Sequence, residues 1–249
     1  MSKMDFIQVK VKRQANPRLK PYWEEYRVKY RPYMNIITVL QELRKNPHTF
    51  DNRPSSVIAW EASCLEEVCG TCTMVINGRV RQACSALVDQ LGESITIEPM
   101  TKFPVVRDLV VDRSVIFRSL KRLKTWVPVD GTHALGPGPK MGPDEALERY
   151  EMSKCIACGC CMEVCPQINE RSEFVGAAAI NQVRLFNSHP TGKVIERERL
   201  KALMEKGGIE DCGNAQNCVK ACPKEIPLVT SIADVNRQMT LNLLDLLKK

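Results

Sequence analysis

The sequence predicts an α+β protein in two parts: a small sheet packed on a helix over residues 1–105, then a helical domain over residues 106–249. Three observations carry this. Apolar and polar residues alternate near the N-terminus, an Asn-Gly pair lies between two strand-like runs, and beyond Asp112 strand signals largely give way to helical periodicity interrupted by cysteine runs. With 249 residues and 44% hydrophobic content, the chain reads as globular and can bury a sizeable core.

In the first part, Ile7, Val9 and Val11 alternate with Gln8, Lys10 and Lys12, and after a Pro-containing turn Tyr26, Val28 and Tyr30 alternate with Arg27 and Lys29. This predicts two paired strands. Ile36, Val39, Leu40 and Leu43 follow helical spacing from Asn35, a natural N-cap, and the pattern stops at Asn46-Pro47. Asn77-Gly78 within "TMVINGRVRQAC" predicts a hairpin, and "SITIEP" a further strand. In the second part "DRSVIFRSLKRLK" predicts a basic amphipathic helix, and "VPVDGTHALGPGPKMGPD" over 127–144 a Pro/Gly-rich connection. Further helices are expected from Pro143-Asp144 through Tyr150, in "GAAAINQVRLF", in "ERERLKALMEK" before Gly207-Gly208, and in "VTSIADVNRQMTLNLLDLL".

No stretch approaches the roughly 18 to 20 apolar residues that would cross a bilayer, and the start lacks a continuous apolar run with a cleavage site. The expectation is a protein that stays in the cytoplasm. Twelve cysteines fall into tight clusters, which favours metal ligation over a disulfide scaffold.

The first cluster is Cys64, Cys69, Cys72 and, eleven residues on, Cys84. This is the plant-type [2Fe–2S] spacing: a short loop wraps three thiolates around the cluster, and the hairpin returns the fourth. Gly70 leaves backbone N–H groups free to approach the sulfurs, which raises the reduction potential. A four-thiolate zinc site is the alternative, but zinc favours two C-x2-C pairs. Glu66-Glu67 in this loop would lower the cluster potential, unless the pair is simply a solvated acidic face, the preferred reading.

The second run is "CIACGCCMEVCP", with Cys155, Cys158, Cys161 and Cys165-Pro166; the third, "CGNAQNCVKACP", has Cys212, Cys218 and Cys222-Pro223. In two-cluster ferredoxins the cysteine before proline ligates the other cluster. The exchange gives one complete [4Fe–4S] site, Cys155, Cys158, Cys161 and Cys222. It leaves Cys165, Cys212 and Cys218 for a second site, where Ala215 stands in the frame of the missing ligand. A corner without a thiolate holds iron weakly, so this site is expected to carry [3Fe–4S], although water or a nearby Asn or Asp could retain a fourth iron. Cys160 is left over and is expected to be a free, partly buried thiol.

Three clusters at about −2 each with their thiolates would bring the formal +7 of the chain near +1, so the basic excess compensates cofactors and calls for no nucleic acid. His48, His133 and His189 are the only imidazoles, and each is expected in a loop or at the surface. The chain carries no P-loop or dinucleotide-binding glycine run, which points to an electron path without a substrate site.

In the order "CLEEVCGTC" with Cys84, "CIACGCCMEVCP" and "CGNAQNCVKACP", the chain resembles the iron–sulfur subunits of succinate dehydrogenase and fumarate reductase over nearly its whole length. The resemblance implies a β-grasp [2Fe–2S] ferredoxin domain followed by an α-helical ferredoxin domain. It also implies a relay from a flavoprotein that oxidises succinate at FAD, through [2Fe–2S], [4Fe–4S] and [3Fe–4S], to a quinone at a membrane anchor. Cys64, Cys69, Cys72 and Cys84 would face the flavoprotein, and Cys165, Cys212 and Cys218 the anchor, on the cytoplasmic face of the cell membrane. Ubiquinone-reducing members carry tryptophan five residues after the match to Cys165 and histidine directly after the match to Cys212; here these are Glu170 and Gly213. That departure resembles the branch with a two-haem anchor and menaquinone. A soluble carrier, a subunit of another dehydrogenase or of heterodisulfide reductase, and a zinc-stabilised interaction module are the other readings.

Overall fold

The structure is a computed structural model that describes residues 5–128 and 139–247. The expected Pro/Gly connection falls partly, and His133 wholly, outside the described residues. In chain order the strands are β1 (Phe6–Arg13), β2 (Tyr22–Lys29), β3 (Thr73–Ile76), β4 (Arg79–Gln82), β5 (Ser94–Glu98), β6 (Val105–Arg107) and β7 (Val110–Val111). The helices are α1 (Ile36–Lys45), α2 (Val88–Leu91), α3 (Ser114–Arg122), α4 (Pro143–Ser153), α5 (Cys160–Glu163), α6 (Ala177–Ser188), α7 (Glu196–Met204), α8 (Asn217–Ala221) and α9 (Leu228–Leu247). Two compact units result: residues 1–113 with 156–163, and residues 114–155 with 164–249.

In the first unit a five-stranded sheet runs in the order β2-β1-β5-β3-β4. β1 pairs antiparallel with β2, from Phe6 opposite Lys29 to Arg13 opposite Tyr22, and parallel with β5. The alternation in β1 buries Ile7, Val9 and Val11 against Ile36, Val39, Leu40 and Leu43 of α1. Each such side chain contributes roughly 1.5–3 kcal/mol on burial. Asn35 caps α1 by accepting from the Thr38 amide at 2.9 Å. The Asn77-Gly78 turn closes β3 on β4 with Ile76 opposite Arg79. β6 and β7 extend the unit past residue 105, because Leu109 joins this core and Asp108 meets Arg13 in a buried ion pair.

The second unit is helical, with α6 packed against α3, α4 and α9. Ile180, Val183, Leu200, Leu203 and Val235 form its core with Leu123 and Phe174. Buried polar groups there are paired: Asn181 donates to the Met152 carbonyl at 3.0 Å and accepts from Ser231 at 2.8 Å. Arg184 meets Glu148 and Asp234. Among the described residues no helix is long and apolar enough to cross a membrane.

Candidate functional site

The loop from Cys64 to Cys72 has three residues at positive φ: Leu65 (63°), Glu67 (59°) and Gly70 (70°). Left-handed residues within a short loop turn successive N–H groups inward, a geometry suited to anions. Here the acceptor is sulfur. Cys64 Sγ receives the amides of Glu66 at 3.5 Å and of Val68 and Cys69 at 3.3 Å, and Cys69 Sγ receives that of Thr71 at 3.4 Å. The loop carbonyls are held the other way: Gly70 O accepts from Thr73 Oγ1 and Arg113 Nη1, both at 2.7 Å, and Thr71 O from Arg113 Nη2 at 3.2 Å.

The hairpin brings Cys84 back as expected, with Ala83 N bonded to Cys72 O at 3.1 Å. Asn35, after capping α1, donates its Nδ2 to the Cys84 carbonyl at 2.8 Å. Burial, then the neighbouring thiols, push the Cys84 thiol up to about 11. Burial acts the same way on Cys69, but hydrogen bonds from Cys64 and Thr71 outweigh it and bring that thiol down to about 6. Crowded, partly buried thiols with amides aimed at their sulfurs fit a group that supplies positive charge among them. Glu66 is exposed, while Glu67 accepts from Ser85 Oγ at 2.7 Å.

Of the four thiols expected to form the complete four-thiolate site, Cys158 and Cys161 belong to the first unit, and Cys155 and Cys222 to the second. Cys160 differs from the expectation of a partly buried thiol. At 1% exposure it is fully buried, because α5 turns it into the interior, where Gln82 Nε2 reaches its sulfur at 3.6 Å. Gln82 Oε1 is the one buried side-chain polar atom without a partner among the described residues.

Cys165, Cys212 and Cys218 line one pocket in the second unit, together with Ala215. Burial raises the Cys218 thiol, and its neighbours Cys165 and Cys212 add to the rise. Asn214 and Gln216, at φ of 51° and 59°, curl the exposed loop around Ala215, and Asn217 Nδ2 ties it to the Val164 carbonyl at 3.2 Å. A Cβ on Gly213 would lie 2.5 Å from Gln167 Nε2, so any side chain there requires Gln167 to move. Three thiols on one pocket are donors of the type that iron–sulfur clusters take.

Two family profiles match: a 2Fe-2S iron-sulfur cluster binding domain over residues 8–118 and a 4Fe-4S dicluster domain over residues 151–226. The succinate dehydrogenase iron-sulfur subunit of Bacillus subtilis is 52% identical over 241 residues, 97% of this chain and 95% of the relative. The chain belongs to the iron–sulfur subunits of succinate dehydrogenase and fumarate reductase. A more distant member, the fumarate reductase iron-sulfur subunit of Wolinella succinogenes, is 31% identical over 223 residues, covering 88% of this chain and 90% of that one. A chain of the Mycobacterium smegmatis Sdh1 complex in the apo form superposes with a TM-score of 0.79 at 21% identity, over 96% of this chain and 98% of that one, and so shares the fold.

As a member of this family the chain is an electron carrier of an oxidoreductase and holds [2Fe–2S], [4Fe–4S] and [3Fe–4S] clusters. Among the described residues no three Cys, His, Asp or Glu side chains converge on a single-ion site, so the assignment of each thiol rests on spacing and on the loop geometry above. The described histidines are structural. His48 bonds Asn46 at 2.7 Å, and His189 Nδ1 accepts the amides of Thr191 and Gly192 at 3.2 Å each. Sequence reasoning missed Arg113, Gln82 and the second role of Asn35; none of them stands in a motif.

Proposed function

We propose that this chain is the relay subunit of a succinate:quinone oxidoreductase, placed between a flavoprotein that oxidises succinate at FAD and a haem-bearing membrane anchor where menaquinone is reduced, on the cytoplasmic face of the membrane. Its ligand sets are Cys64, Cys69, Cys72 and Cys84 for [2Fe–2S]; Cys155, Cys158, Cys161 and Cys222 for [4Fe–4S]; and Cys165, Cys212 and Cys218 for [3Fe–4S]. The bound clusters supply one-electron steps between a two-electron flavin and a two-electron quinone. The chain's residues set where and how strongly they are held. Amides around Cys64 and Cys69 stabilise negative charge on sulfur, and Arg113 adds a cation beside the same loop.

The observation that carries the reading is Ala215 in the ligand frame, lining the pocket shared by Cys165, Cys212 and Cys218. Fumarate reduction is the same relay run in reverse; the 52% identity to a succinate dehydrogenase subunit, against 31% to a fumarate reductase subunit, favours oxidation. Glu170 and Gly213, in place of the ubiquinone-type residues, support menaquinone. Purification from membranes tests the assembly: the chain should co-purify with a flavoprotein and a haem-containing membrane chain, and recovery as a lone soluble carrier would sink the proposal.

A further inference from the structure

Gly70 lies between two proposed ligands of the first cluster, and the first unit also contains Cys158 of the second run. A Cβ built on Gly70 would stand 2.8 Å from both Cα and Cβ of Cys158 and 3.1 Å from the Ile156 carbonyl oxygen. Backbone meets backbone there with no side chain between, and the φ of +70° at Gly70 is one that L residues rarely adopt.

A second, polar connection runs beside this contact. The Gly70 carbonyl accepts from Arg113 and from Thr73 Oγ1, both at 2.7 Å. Thr73 Oγ1 accepts from Gln82 Nε2 at 3.1 Å, and the same amide reaches Cys160 Sγ at 3.6 Å. Thr73, Gln82 and Cys160 are at most 4% exposed, so water does not compete for these bonds. Cys160, neighbour in sequence to Cys161 and no ligand itself, ends the chain.

We infer that Gly70, with the chain Arg113–Gly70–Thr73–Gln82–Cys160, is a joint that fixes the distance between the [2Fe–2S] loop and the run holding the next cluster. The residues are positioning residues. With both clusters bound, the step these residues would govern is the passage of one electron from the reduced first cluster to the oxidised second, with no bond formed and no proton transferred. Tunnelling falls exponentially with separation, so a joint without slack holds the rate. A glycine is required because any Cβ would force the two runs apart.

The inference rests on the ligand sets proposed above, and the test separates the two. In the purified complex, Gly70→Ala should keep both reduced-cluster electron paramagnetic resonance signals, weaken their mutual magnetic broadening and slow reoxidation of [2Fe–2S] several-fold. Thr73→Val and Cys160→Ala, which add no atom at the contact, should shift both readouts in the same direction by less. A merely structural role would lower thermal stability and leave broadening and rate unchanged; that result overturns the inference. If Gly70→Ala does not accumulate, Thr73→Val and Cys160→Ala decide on the same two readouts. Cys158→Ala, which offers no ligand atom, serves as the control on ligation: loss of the [4Fe–4S] signal upholds the ligand set, and its full retention refutes that set and the inference with it.

Discussion

Arg13→Met should lower the thermal stability of the first unit more than any other single change near its sheet. The guanidinium is 1% exposed. It donates Nε to Asp108 Oδ1 at 3.0 Å, Nη1 to Tyr26 OH at 2.6 Å and to Glu24, and Nη2 to Ser56 Oγ at 2.9 Å. Burial opposes its charge, but the hydrogen bond to Asp108 and the charges of Asp108 and Glu24 outweigh it and hold the pKa above its ordinary value. Methionine keeps the stem and removes the charge, leaving the buried Asp108 and the part-buried Glu24 without this counter-charge. Breaking a buried pair from one side costs about 3–5 kcal/mol. At about 2–4 °C per kcal/mol for a chain of this size, the midpoint should fall by roughly 6–20 °C. Bleaching of the iron–sulfur absorbance at a fixed scan rate reads the shift. Hydrogen exchange at the Ala59 and Gln14 amides, which donate to Asp108 at 2.9 and 3.1 Å, should accelerate with it. Replacing Asp108 by Asn in the same protein should restore part of the loss, since one of the two stranded charges is then removed while an acceptor for these amides is kept. A fall of less than about 3 °C, with both amides still protected, would refute the reasoning.

Asn35→Ala should cost about 1 kcal/mol through the lost cap and speed loss of [2Fe–2S], whereas Asn35→Ser keeps the cap but not the reach to the Cys84 carbonyl, so it should retain the helix and still speed cluster loss. Arg199 is 0% exposed and donates to the carbonyls of Lys124, Gly192 and Trp126 at 2.9, 2.8 and 2.7 Å; Arg199→Lys cannot reproduce that fork and should cost about 1–3 kcal/mol in thermal unfolding. Burial and the Glu24 hydrogen bond push Tyr26 up to about 12, so the folded state holds the phenol proton more tightly than the unfolded chain. Stability should therefore be intact below pH about 10 and decline as pH rises toward about 12, and Tyr26→Phe should lack that part of the decline. Ala215→Cys should convert [3Fe–4S] towards [4Fe–4S], lower its potential and slow quinone reduction, because added thiolate charge disfavours the reduced cluster; a potential titration checks it.

What the sequence made legible was what local chemistry dictates. β1 and α1 could be read because one face of each is buried, and that imprints periods of two and 3.6 on the residues. The β3–β4 hairpin could be read because Asn77-Gly78 suits few other conformations. The short elements β6, β7, α2, α5 and α8 are too brief to show a period, and tertiary contacts hold them. The Arg13–Asp108 pair spans 95 residues of chain and neither residue sits in a motif, so only the folded geometry reveals it. Thiol spacing found the ligand candidates because clusters constrain loop length directly. It could not place Cys160, whose burial follows from the turn at Gly159, at φ of 90°, into α5.

The measurement that bears most directly on the central claim is electron paramagnetic resonance of the anaerobically purified, oxidised protein, with iron determined per chain. The account predicts a [3Fe–4S] signal that disappears on reduction, with about nine irons per chain. An oxidised protein silent in resonance, whose third site behaves as a complete cubane, would contradict the reading of Ala215 and of the three-thiolate site it marks.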